Sequence, residues 1–208
     1  MTRVESKEAT RRALIAAART QFAADGFAGT GLSQVVDAAR VTKGALYHHF
    51  ASKTHLFEAV LAQVQAEVGD RVAHSAEQHA NSWSQLVAGC RAFLEASTDE
   101  ESRRIMLIDG PAVLGWDRWR ALDEATSGSH LEDVVEALVD DGTFVPLSPS
   151  AATRLLSGAM NEAALWLAAS PNRDHSIEDA MSVLGLMLAG LRREQPSTTL
   201  EAAPAPKS

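Results

Sequence analysis

The sequence predicts an all-α protein, with a small N-terminal three-helix unit holding a helix-turn-helix and a larger helical body behind it. Three observations lead there. Apolar residues recur at three- and four-residue spacing along most of the chain, the period of one helix face. Glycine, proline and capping residues cut that pattern into helix-length pieces. Between Gly26 and Lys53, two short helical patterns are separated by a tight turn, and the second is basic, aromatic and hydroxyl-rich.

In order, Leu14, Ile15, Ala18 and Phe22 mark a helix over residues 6–25, with Arg11, Arg12 and Arg19 on its solvated surface. Gly26 suits a left-handed C-terminal position, from which Phe27 folds back onto the last turn. Thr30 or Ser33 caps the next helix, residues 32–39, which buries Val35, Val36 and Ala39, and either hydroxyl is a candidate donor to a DNA phosphate. After a turn at Arg40-Val41, Thr42 caps a third helix in which Leu46 and Phe50, four apart, face the core. Thr54 is expected to cap a long connector helix carrying Leu56, Phe57, Val60, Leu61, Val64, Val68 and Val72, with Gln63, Glu67, Asp70 and Arg71 on its wet side. Trp83 to Leu94 form another amphipathic stripe. The next helix opens at Asp99-Glu100-Glu101 and stops at Asp109-Gly110-Pro111. A further one carries Val113 to Leu122 and ends near Ser127-Gly128, and another carries Leu131 to Val139 and ends at Asp141-Gly142. Ser148-Pro149 starts a helix that runs to Ser170-Pro171. Ser176 with Asp179 forms a capping box for the last helix, closed by Arg192-Arg193. The domain expectation is therefore 1–53, 54–194, and a disordered proline-rich tail over 195–208.

Charge separates the two parts. Residues 1–53 hold eight Lys/Arg against four acids, a net +4, so the remainder carries −12 of the total −8. Screening confines attraction to the local patch, within about 10 Å, so an acidic whole does not prevent a basic head from meeting phosphate. The single cysteine, Cys90, excludes a disulfide framework and a multi-cysteine zinc site. Adjacent His48 and His49 diverge by about 100° on a helix and make a poor chelating pair. No metal or other cofactor is expected. No apolar run approaches the roughly 18 residues of a membrane span, and residues 1–12 lack the apolar core of a secretory signal, so the cytoplasm is the expected compartment.

The third helix reads Lys43-Gly44-Ala45-Leu46-Tyr47-His48-His49-Phe50. With Leu46 and Phe50 inward, Lys43, Tyr47 and His48 project elsewhere, and small Gly44 and Ala45 permit close approach to a DNA major groove. The stretch VTKGALYHHFASK resembles the signature of the TetR (tetracycline-repressor-like) family, matching at Val41, Thr42, Lys43, Gly44, Leu46, Tyr47, His49, Phe50, Ser52 and Lys53. The resemblance implies a DNA-binding regulator. Thr42 and Lys43 stand at the start of the recognition helix, Gly44 gives close backbone approach, Tyr47 and His48 touch phosphate or base edges, and His49 and Lys53 support the phosphate side. Two positions depart from the pattern. Gly31 stands where Thr or Ser is common, leaving the capping hydroxyl to Thr30 or Ser33. Arg40 stands where Gly is common, and so either carries left-handed strain or adds a phosphate contact.

The last two helices are apolar on more than one face, through Leu165, Trp166, Leu186 and Met187 as well as their core stripes. Such helices need two partners, and a second copy of the same pair supplies one, giving a homodimer. The four tryptophans all fall in the body. Met106, Asp109, Trp116, Trp119, Asn161, Glu162 and Trp166 are the candidate lining of a small-molecule pocket. The resemblance implies a largely apolar effector that releases a repressor from a palindromic DNA operator. The alternative is a regulator whose body senses a protein partner. No nucleophile–base pair, phosphate loop or metal-ligand spacing supports an enzyme.

Overall fold

The computed structural model describes residues 3–193. The N-terminal unit comprises α1 (Arg3–Gly29), α2 (Leu32–Ala39) and α3 (Lys43–His49). Connector α4 (Lys53–Glu77) leads to α5 (Ser82–Ser97), α6 (Glu100–Ser102), a π-helical stretch Arg103–Asp109, α7 (Gly110–Leu114) and α8 (Trp116–Asp123). A second π-helical stretch, Glu124–Gly128, precedes α9 (Ser129–Asp140), α10 (Pro149–Ala168) and α11 (Arg173–Ala189). One isolated antiparallel bridge, Phe144 with Arg192, ties the α9–α10 loop to the segment after α11.

The reader's core forms where the apolar spacing requires it. Leu14, Ala18 and Phe22 of α1, Val35 of α2 and Leu46 of α3 close over Leu56, Phe57 and Val60 of α4, all essentially buried. Phe22 lies 5.1 Å from Phe57 and 5.9 Å from Phe27, ring centre to ring centre. Gly26 (φ 70°, ψ 173°) leaves the helical region, so α1 is two helices meeting at a kink, which is why Phe27 folds back onto Phe22. Because Phe57 packs into the reader while Val72 lines the body, the 53/54 boundary divides a helix that serves both units.

Several expected boundaries move. Thr54 does not cap α4; Ser52 does, its hydroxyl accepting from His55 N at 3.1 Å. The helix after Asp99 does not stop at Asp109-Gly110-Pro111. Proline is tolerated in the first turn of α7, and the break falls at Gly115 (φ 77°, ψ 160°). Ser176 is not an N-cap: α11 starts three residues earlier, and the Ser176 hydroxyl lies 2.6 Å from that of Ser170. Arg192 and Arg193 fall beyond α11, and the Arg192 guanidinium stacks 4.7 Å from the Trp83 ring centre. Arg19 and Glu67, expected in solvent, bond to each other at 2.6 Å, and Arg19 also holds Glu101. The expected tail 195–208 lies outside the described residues.

Candidate functional site

The turn between α2 and α3 is made by Arg40, held in the left-handed region (φ 54°, ψ 43°) with its amide donating back to Asp37. Arg40 is the one non-glycine with positive φ among the described residues, so the strain expected there is present. Thr42 then caps α3, its hydroxyl accepting from Ala45 N at 3.1 Å. Leu46 and Phe50 are buried as expected, which turns Lys43, Gly44, Tyr47 and His48 outward on one face. Tyr47 is 58% exposed with no core contact to explain an aromatic there. A large exposed aromatic beside a lysine and a histidine fits a surface that meets DNA.

The flanks extend this face. Gly31 is the N-cap of α2, and Gln34 rather than a hydroxyl closes the cap, accepting from Gly31 N at 2.8 Å. Ser33 is exposed beside it. Thr30 is not available to DNA: it is 2% exposed and its hydroxyl donates to Gly26 O, closing the α1 kink. His49 is half-buried, and burial, then the neighbouring His48 and Lys7 charges, pushes its pKa below the usual histidine range. The Arg11 guanidinium lies 5.6 Å from the Phe50 ring centre, so α1 adds basic residues to the same flank. Lys53 sits 4.5 Å over the Phe27 ring, bracing the reader's interior at the start of α4.

The body grips the reader at the kink. Asp109 accepts from Phe27 N at 2.8 Å, and Arg104 donates to Ala23 O and Ala24 O at 3.3 and 2.9 Å. Arg118 of α8 holds Glu58 of α4. Asp109, expected in a pocket, is thus part of the joint between units.

The seven expected pocket residues do not line one cavity. Trp119 is buried, its indole N–H donating to Met106 O at 2.7 Å, and Gly110 leaves room for that ring. Trp116 is 60% exposed, its ring centre 5.0 Å from that of Trp119 at a 38° tilt. Asn161 is buried, Glu162 is exposed, and Trp166 borders an outer groove between α10 and α11. A cavity of about 210 Å³ opens between α4, α5, α9 and α10, beside the roughly 280 Å³ of the α10–α11 groove. Val72, Leu86, Phe93, Leu131, Val134 and Met160 line it, with Asp123 and Ser157 as its buried polar groups. Ser157 donates to Asp123 at 3.2 Å, and burial raises the Asp123 pKa against the opposing pull of Arg120. The missed signal was Asp123 itself, an acid four residues after buried Trp119 and so on the core face of α8.

Residues 14–60 match the model for bacterial regulatory proteins of the tetR family, and residues 83–191 match the tetracyclin repressor-like C-terminal domain. This chain belongs to the TetR family. As such it is a DNA-binding, repressor-like transcriptional regulator and not an enzyme. The crystal structure of a TetR-family transcriptional regulator from Pectobacterium atrosepticum is 32% identical with a TM-score of 0.76, covering 93% of this chain and 99% of that one. The transposon Tn10 TetC protein of Escherichia coli is 24% identical over 74% of this chain and 78% of its own length. RolR in complex with resorcinol has the same fold (TM-score 0.69, 18% identity, 91% and 94% coverage). Among the described residues, no helix of this TetR-family regulator is long and apolar enough to cross a membrane.

Proposed function

We propose that the protein is a homodimeric repressor, working in the cytoplasm, that leaves a two-half-site operator when a small molecule enters the α4–α5–α9–α10 cavity. The observation that carries this reading is that α4 is shared: its last turns line the cavity through Val72, Ala73, Ala76 and Glu77, while its first turns fill the reader core. A ligand that prefers one position of those last turns shifts the reader by its differential affinity for the two states. Ser33, Arg40, Thr42, Lys43, Gly44, Tyr47 and His48 form the DNA face, with His49 and Lys53 supporting it. The dimer forms through α10 and α11, where Leu155, Trp166, Val183, Leu186 and Met187 are more than half exposed. Solvated apolar area of that kind is stable when covered by a second copy. RolR, a protein of this fold, has been solved with a small phenol.

The test is a thermal-shift screen of small molecules on the full chain, followed by DNA release. Compounds that raise the melting temperature are expected to release operator DNA. Ala76→Phe, which fills the cavity, is expected to abolish both effects and leave DNA binding intact. Release by a protein partner, with no small molecule active, would favour a protein-sensing body instead.

A further inference from the structure

Resting on the reading of that cavity as the effector site, we propose that the effector is an organic cation, a compact apolar body carrying one protonated amine or quaternary ammonium centre. The walls supply the apolar half. Every acidic or basic side chain that lines the cavity, His130 at its edge apart, is a carboxylate: Asp123 in the wall, Glu77 and Asp133 at the exposed rim. No lysine or arginine is among the described residues that line it. A cleft with charge of one sign and low-dielectric walls concentrates the opposite charge and repels carboxylates and phosphates.

Asp123 decides the polarity. It is 3% exposed, accepts from the Ser157 hydroxyl at 3.2 Å, and pairs at 3.5 Å with Arg120, which does not itself line the cavity. Arg120 also reaches Glu124 at 3.6 Å, and Glu124 pairs more closely with Arg154 at 2.9 Å. The direct hydrogen bonds of Arg120 go to the Ser157 hydroxyl at 3.1 Å and the Arg154 carbonyl at 3.3 Å. Arg120 borders a separate small cleft, and Asp123, Gly128 and Ser157 form the partition between the two. Burial disfavours the charged carboxylate, and at Asp123 it outweighs the pull of Arg120 and of the Ser157 hydrogen bond. A cation in this cavity meets the carboxylates on their open side, and the Phe93 ring in the same lining offers it an aromatic surface. A neutral ligand fills the walls and gains nothing from the carboxylates.

The test is calorimetric titration of the full chain with three probes of similar shape: benzyltrimethylammonium, its neutral carbon isostere neopentylbenzene, and 4-phenylbutanoate. The cation is expected to bind about tenfold or more tightly than the neutral isostere, with no binding of the anion. Asp123→Asn is expected to remove most of that preference. The exposed-rim pair Glu77→Gln with Asp133→Asn is expected to reduce it without risk to the fold. Equal affinity for cation and isostere, or tighter anion binding, overturns the cation assignment and leaves the cavity as an effector site. Absence of binding by all three, or binding that survives Ala76→Phe, overturns both.

Discussion

The reader and the body solve the same problem, placing polar groups where a ligand meets them, in opposite ways. In the reader the site is local: seven residues of α3 are oriented by one cap at Thr42 and two buried anchors, Leu46 and Phe50. Burying those anchors turns Lys43, Tyr47 and His48 outward together. In the body the cavity draws on α4, α5, α9 and α10, from Val72 to Met160, and no short stretch contains it. A local site follows from helical period and caps. A dispersed site follows from packing, and it is the connector α4 that joins the two.

That contrast can be broken at graded points. Phe22→Ala opens the centre of the Phe22–Phe27–Phe57 cluster and is expected to cost about 3–5 kcal/mol, lowering the melting temperature and DNA binding together. Lys43→Ala with Tyr47→Ala is expected to weaken operator binding by about a hundredfold or more in a gel-shift titration. That pair leaves the melting temperature and the dimer unchanged, because both side chains lie outside the core. Asp109→Ala removes the acceptor of Phe27 N and is expected to cost about 1–2 kcal/mol, with a larger loss in effector-driven DNA release than in effector binding. Arg40→Gly relieves left-handed strain and is expected to stabilise the chain by about 1 kcal/mol. If Arg40 meets a phosphate, the salt dependence of DNA binding falls by about one unit of slope. Cys90, its thiol pushed up to about 12 by burial, stays protonated in the folded chain while the unfolded thiol ionises from pH 9. Native stability is therefore expected to fall as pH rises from 9 to 12, and Cys90→Ala flattens that loss in chemical denaturation.

The reader was legible because its determinants are neighbours in sequence. The spacing of Leu46 and Phe50, the Thr42 cap and Gly26 at a positive φ all appear where the pattern placed them. Thr30 was misread because a hydroxyl before a helix looks like a cap, whereas here it satisfies the carbonyl exposed by the Gly26 kink. The body's helices were legible and their breaks were not. Pro111 sits in a first turn, where the helix continues, and Gly115 supplies the real bend. The tryptophans drew attention from the cavity because indoles mark pockets and cores alike. Trp119 proved to be core and Trp116 surface, while Asp123, an acid on a buried face, marked the cleft. Arg19 and Asp109 were misread for another reason, since their partners lie 48 and 82 residues away.

The most direct test of the account is selection of bound sequences from random double-stranded DNA by the full chain, with stoichiometry measured on the selected site. The expected product is a pseudo-palindrome with half-sites about one helical turn apart, bound by two chains and not bound by the Lys43→Ala, Tyr47→Ala variant. Selection of no common sequence, or equal binding by that variant, would contradict it.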